Sequence, residues 1–220
     1  MNHTTSPSAE LLIATGCVHC PVVLGELSDQ LKKGKIASLK ITNIAVDNQR
    51  AAELNVRSVP WFSLSADTSF MIFSGSYSPK EIQQWLSTSQ DKNGMQEYIE
   101  NSLSNGQLAT VLQAIQLAPE TFSTVIAMLE DEDTSMEVRI GLDALVESLS
   151  ATDILKNHAA AFKKIAATNN LRLQIDALHY LALTGNSEHK AFLQEYMNHD
   201  DQQVKEAAAE ALETLNNLTE

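Results

Sequence analysis

Two cysteines, Cys17 and Cys20, are all that the 220-residue sequence holds. That scarcity excludes a fold stapled together by disulfides. The chain also lacks any apolar run approaching the roughly 18 residues of a membrane span, so no membrane partner is expected. Its opening, MNHTTSPSAE, has neither a basic start nor an apolar core and does not read as a signal peptide. With Met1 first and no export signal, the expected compartment is the reducing cytoplasm, where permanent structural bridges are rare. Positive charge is scarce as well: 15 Lys and Arg stand against 28 Asp and Glu, a net charge of −13. An acidic surface repels phosphate backbones, which argues against nucleic acid as a partner.

What is present describes a soluble globular chain, 44% hydrophobic and 20% charged, long enough for two small domains with a core each. The acidity is uneven. Residues 1–90 carry seven basic and seven acidic side chains, whereas residues 91–220 carry eight and twenty-one. Such a shift implies two domains with different surfaces, the second suited to solubility or to attracting a basic protein.

Along the first ninety residues, strand and helix signals alternate. The lead-in 1–9 is expected to be flexible. "LLIAT" is a short apolar run fit for a buried strand. After Gly16, "CVHCPVVLGELSDQLKKG" places Val22, Val23, Leu24, Leu27 and Leu31 at helical spacing, and Gly34 ends the helix. "IASLKITNIAV" is β-rich, and "NQRAAELNV" is a short helix. "RSVPWFSLS", a turn at "ADT" and "SFMIFSGSY" form a hairpin. Ser78, Pro79 and Glu81 then supply an N-cap, a first helical residue and a capping-box partner. The predicted order is β-α-β-α-β-β-α over residues 10–88, with a polar linker at 89–94.

Residues 95–220 read as helix throughout and contain a repeat of 33 residues. Val138, Leu142, Leu145 and Leu149 recur as Leu171, Ile175, Leu178 and Ala182, then as Val204, Ala208, Ala211 and Leu215. Arg139, Arg172 and Lys205 follow the first apolar position each time. Ile126, Ala159 and Phe192 mark second helices on the same period, and Leu108, Leu112 and Ile115 suggest a degenerate leading repeat. Each helix pair leaves an apolar stripe that a neighbour must cover, so the pairs stack. "TSMEVRIGLDAL" and "HDDQQVKEAAAEAL" resemble HEAT-like repeats, which bind partners far more often than they catalyse. "EDED" at 130–133 reads as a solvated loop, and His179 beside Tyr180 as packing.

The spacing of Cys17 and Cys20 leaves three readings open: a redox pair, part of a metal site, or two inert thiols. A closed zinc site needs four ligands. There is no second CxxC; His19 lies between the cysteines, and His3, His158, His179, His189 and His199 show no ligand spacing, so no metal is expected. Nor is any cofactor. A CxxC whose first cysteine opens a helix does have a reason to react, because the unpaired first-turn N–H groups and the positive dipole end favour thiolate. The natural roles are Cys17 as nucleophile and Cys20 as resolving thiol.

"VDNQRAAELNVRSVPW" resembles the second half of the thioredoxin family. There an Asp closes a strand, a short helix follows, and a V-x-S-V-P segment enters a hairpin. With the CxxC at a strand-to-helix turn, the resemblance covers residues 10–88 in a minimal, glutaredoxin-sized form. It implies a thioredoxin-like α/β domain, which the HEAT-like resemblance of the second half extends to an α/β domain followed by an all-α repeat domain. It implies that Pro60 is cis beside the CxxC, that Val59 docks a substrate peptide by its backbone, and that Gly16 and Trp61 border the same groove. Gly16 replaces the Trp usual before the first cysteine. Trp61 replaces a common Thr and narrows the groove. Leu11 stands where the family's buried acid belongs, and Glu10 faces the other side of the strand. His19 occupies the place of the histidine found in oxidising members, which implies a potential above about −270 mV.

The resulting expectation is a thiol–disulfide oxidoreductase acting on protein thiols and disulfides, with the acidic repeats binding a client or partner. The alternative is a redox-regulated chaperone or adaptor with little turnover. It resembles redox-active holdases, although those carry tetratricopeptide-type repeats.

Overall fold

The fold is described from a computed structural model of the chain, for residues 6–67 and 69–219. These group into two compact units, residues 1–121 and 122–220.

The first unit is built on a four-stranded sheet in the order β2-β1-β3-β4. Its strands are β1 (Ser8–Ile13), β2 (Ser38–Asn43), β3 (Trp61–Ala66) and β4 (Ser69–Ser74). β1 pairs with β2 in parallel and with β3 antiparallel, and β3–β4 is an antiparallel hairpin. The parallel pair demands a crossover, which α1 (Cys20–Lys32) supplies. Gly34, at φ +69°, stops that helix as its N–H donates to the Leu31 carbonyl. α2 (Gln49–Glu53) leads to the hairpin. Ser78 caps α3 (Pro79–Thr88) in a complete capping box with Glu81, as the sequence predicts.

Strand register sorts the side chains. Leu11 opposes Phe62, which opposes Phe73, so these three share one face with each other and are buried. Glu10, Ser63 and Ile72 share the opposite face.

Two boundaries differ from the sequence expectation. Residues 1–5 of the expected flexible lead-in lie outside the described residues, but Ser8 and Ala9 already belong to β1, paired with Ser38 and Leu39. Within the predicted "ADT" turn, Thr68 also lies outside them. The polar stretch at 89–94 is a tight turn inside the first unit. There the Gly94 N–H donates to Asp91, and a Cβ on Gly94 would stand 1.8 Å from the Thr88 carbonyl oxygen. Two further helices therefore belong to this unit, α4 (Gly94–Ser104) and α5 (Leu108–Leu117). Both pack on β4. Tyr98 of α4 donates its hydroxyl to the Ile72 carbonyl at 2.9 Å and accepts from the Ile72 N–H at 3.0 Å, which closes the outer edge of β4.

The second unit is helical. It comprises α6 (Phe122–Glu130), α7 (Met136–Ser148), α8 (Asp153–Asn157), α9 (Ala159–Ala166), α10 (Leu171–Leu183), α11 (Lys190–Tyr196) and α12 (Gln202–Thr219). The 33-residue period places Val138, Leu171 and Val204 on the long helices α7, α10 and α12, with α6, α9 and α11 as the shorter members. Leu142, Leu178 and Ala208 are wholly buried, and α10 packs on both α9 and α12. Arg139 is buried too: its guanidinium donates to the Thr134 carbonyl at 3.1 Å and to the Asp131 carbonyl, closing the loop into α7. Arg172, at the equivalent position, is exposed. No helix among the described residues is long and apolar enough to cross a membrane.

Candidate functional site

β1 ends at Ile13, and a turn at Thr15–Gly16 delivers Cys17 ahead of α1. Gly16 takes φ +82°, which favours a residue without a Cβ. The Cys17 N–H donates to the Ala14 carbonyl at 3.2 Å, and Asn43 of β2 donates its amide to the Thr15 hydroxyl, also at 3.2 Å. Cys17 and Cys20 form a disulfide, with Cα atoms 5.5 Å apart. Helix α1 begins at Cys20, so Cys17 precedes the helix rather than opening it. The intended contact still forms, since the Cys20 N–H donates to the Cys17 sulfur at 3.1 Å. Cys17 is partly exposed and Cys20 is 4% exposed, which leaves Cys17 as the sulfur a second molecule can reach.

The Val59–Pro60 peptide bond is cis. The Val59 carbonyl oxygen lies 3.8 Å from the Cys17 sulfur, and the Pro60 carbonyl accepts from the Gly75 N–H at 2.9 Å. Residues 42 apart in sequence thus meet at the disulfide. His19 and Val18 are exposed on the turn between the cysteines, Val18 at 79%. Trp61 does not stand open beside the sulfurs: it is 2% exposed and lines a groove toward α5.

Leu11 is fully buried, and Glu10 points to the other face of β1. There the Arg50 guanidinium holds the Glu10 carboxyl below the usual carboxylate range, through bonds of 2.8 and 2.7 Å, with Lys40 at 3.0 Å adding to the effect. This carboxylate is committed to an ion-pair network. Among the described residues no group of three or more His, Cys, Asp or Glu could hold a metal ion.

A second polar cluster was not singled out in the sequence. In the helical unit, Asp143, Glu147, Asp176, His179, Tyr180 and Glu210 line a cleft of about 230 Å³. Tyr180 donates to Asp143, and burial, with Asp143 beside it, pushes the Tyr180 hydroxyl well above its ordinary value. Burial likewise raises the Asp176 carboxyl, with Asp143 adding repulsion. The signal was available, because Asp143 and Asp176 occupy one position of the 33-residue period.

No protein-family model matches the chain, and no curated protein matches it.

Proposed function

We propose that the chain is a thiol–disulfide oxidoreductase of thioredoxin-like fold, with a HEAT-like helical unit that binds a client or partner. The observation that carries this reading is the partly exposed Cys17, whose sulfur accepts a helix-end N–H and lies beside a cis X-Pro backbone. An N–H directed at sulfur stabilises a thiolate, the species that attacks disulfides.

In the reduced protein, the Cys17 thiolate attacks a client disulfide, a mixed disulfide forms and one client thiolate leaves. The Cys20 thiolate then attacks the Cys17 sulfur, releasing the second client thiolate and forming the Cys17–Cys20 bond. Two electrons pass to the client. The reverse sequence, begun by a client thiolate attacking Cys17, oxidises a client dithiol. Val59 offers its backbone to the client strand, Gly16 leaves the approach open, and His19 as a cation favours the Cys17 thiolate and a more oxidising couple. The acidic face of the helical unit suits a basic partner.

A second reading, a redox-regulated chaperone or adaptor with little turnover, is favoured by one observation. Glu10 is locked to Arg50 and Lys40 on the far face, and Leu11 is apolar, so no carboxylate on β1 serves Cys20 as a proton relay.

The test is Cys20→Ala, which on the oxidoreductase reading traps clients as mixed disulfides on Cys17 that a reducing agent releases. Insulin reduction by the unaltered chain, run beside an aggregation assay on the Cys17→Ser, Cys20→Ser double variant, separates the two readings. No trapped client and no insulin reduction would sink the first. Chaperone activity kept by the double variant favours the second.

A further inference from the structure

Helix α7 carries two apolar stripes where packing into the helical unit needs one. Val138, Leu142, Leu145 and Val146 are buried and form the inner stripe. Met136 and Ile140 point the other way, 70% and 62% exposed. The repeat does not require them there. One period on they correspond to Asn169 and to Leu173, which is buried, and two periods on to Gln202 and Glu206. Large apolar side chains grouped on an exposed helix face mark a surface that something else covers.

Met136, Ile140, Asp143 and Glu147 stand at i, i+4, i+7 and i+11, so the exposed apolar turn runs along one face into the cleft that α7 shares with α10 and α12. Charge on this face is one-sided. Asp143, Glu147, Asp176 and Glu210 line the cleft, and among the described residues no Lys or Arg lines it. The donors present are already engaged: the Tyr180 hydroxyl donates to Asp143, and His179 lies 3.6 Å from Glu147. Asp176 and Glu210 make no hydrogen bond or ion pair among the described residues. Residues 130–148 as a whole hold seven carboxylates and one cation, Arg139, which is buried and bonded to two backbone carbonyls. Arg172, exposed one turn before Asp176, leaves the balance strongly negative. A second copy of this face would set carboxylate against carboxylate, and an anionic lipid or nucleic acid would be repelled. The complementary occupant is apolar at one end and cationic at the other.

We propose that the outward face of α7 and the adjoining cleft dock an amphipathic, basic helix of a partner protein. Two apolar side chains a turn apart on that helix cover Met136 and Ile140, the spacing at which one helix stripe meets another. A lysine or arginine on its next turns enters the cleft and is held by Asp176 and Glu210. The proposal rests on the reading of the helical unit as the part that binds a partner, and it is independent of the disulfide chemistry.

The probe is a fluorescein-labelled, alanine-based helical peptide with two leucines one turn apart and lysines over the following two turns. Its twin has glutamines for the lysines. Anisotropy with the full chain should show the lysine peptide binding about tenfold more tightly than the twin, an advantage that shrinks as salt is added. Asp176→Asn together with Glu210→Gln should erase the advantage and leave the twin's affinity unchanged. The thermal midpoint should not fall, because neither carboxylate holds a partner. Met136→Ser together with Ile140→Ser should weaken both peptides, again at an unchanged midpoint, since both side chains already stand in water. Equal binding of the two peptides, or binding of neither, overturns the proposal. A dimer of the free chain that the Met136→Ser, Ile140→Ser variant dissociates also overturns it, because a second copy then covers the face. The docking face and the oxidoreductase reading fail separately. If the lysine peptide is preferred while the unaltered chain reduces no insulin and Cys20→Ala traps no client, the oxidoreductase reading falls and the face stands. If clients are trapped but the peptides bind alike, the face falls alone.

Discussion

His189 is 7% exposed, and neither of its ring nitrogens has a partner among the described residues. Burial, helped by Lys163, holds its pKa below the ordinary histidine value. The folded form therefore refuses a proton that the unfolded chain accepts at about pH 6.5. For a base with a depressed folded pKa, stability falls as pH drops through the unfolded value. The urea midpoint of the chain should decline between about pH 7.5 and 5.5, and His189→Leu should flatten that decline and add about 1 kcal/mol at pH 6. A decline unchanged in His189→Leu would assign it to other groups. Glu10 has the opposite chemistry, since Arg50 lowers its folded pKa. Its contribution is full above the unfolded value of 4.5 and is lost as pH falls through the folded one. Glu10→Ala also leaves a half-buried Arg50 with Glu53 as its only carboxylate partner among the described residues, and should lower stability by about 1–2 kcal/mol. Insulin reduction should be untouched, because the network faces away from the sulfurs.

At the scale of elements, the turn between α3 and α4 depends on one glycine. Gly94 brings its backbone against Thr88 so closely that a Cβ would meet the carbonyl oxygen at 1.8 Å. Gly94→Ala must move backbone, and a loss of about 1–3 kcal/mol is expected from chemical denaturation. A neutral result would mean that the turn relaxes freely. This turn shows where the sequence was legible and where it was not. The α3 start announced itself, because Ser78, Pro79 and Glu81 are local signals whose partners lie within four residues. The β-hairpin and the 33-residue period were equally readable, since alternation and repetition are written along the chain. The membership of α4 and α5 was hidden. An apolar stripe such as Leu108, Leu112 and Ile115 says that a helix needs a neighbour, never which neighbour, and here it is β4. The meeting of Val59 with Cys17 across 42 residues was likewise readable only by family resemblance, because no local pattern encodes a contact between a loop and a helix end.

At the scale of the molecule, the compact division at 121–122 and the charge division do not coincide. The first unit holds 8 basic and 11 acidic residues and the second 7 and 17, so the helical unit keeps most of the −13. The division by packing decides what can fold alone. Tyr98, Val111, Ala114 and Ile115 are each at most 1% exposed, and α4 and α5 both lie on β4. A fragment ending at residue 88 strips that cover from the sheet. It leaves the Ile72 N–H and carbonyl open on an edge strand that also carries Met71 and Phe73, a template for aggregation. A fragment ending at residue 121 keeps all of it. The longer fragment should unfold in one cooperative transition and retain its near-ultraviolet circular dichroism, while the shorter one should bind a hydrophobic dye and associate. Tyr98→Phe in the longer fragment should lie between them, losing about 1–3 kcal/mol through the two bonds to Ile72. If the shorter fragment is instead monomeric and as cooperative as the longer, then α4 and α5 are additions to a finished domain and not part of its core.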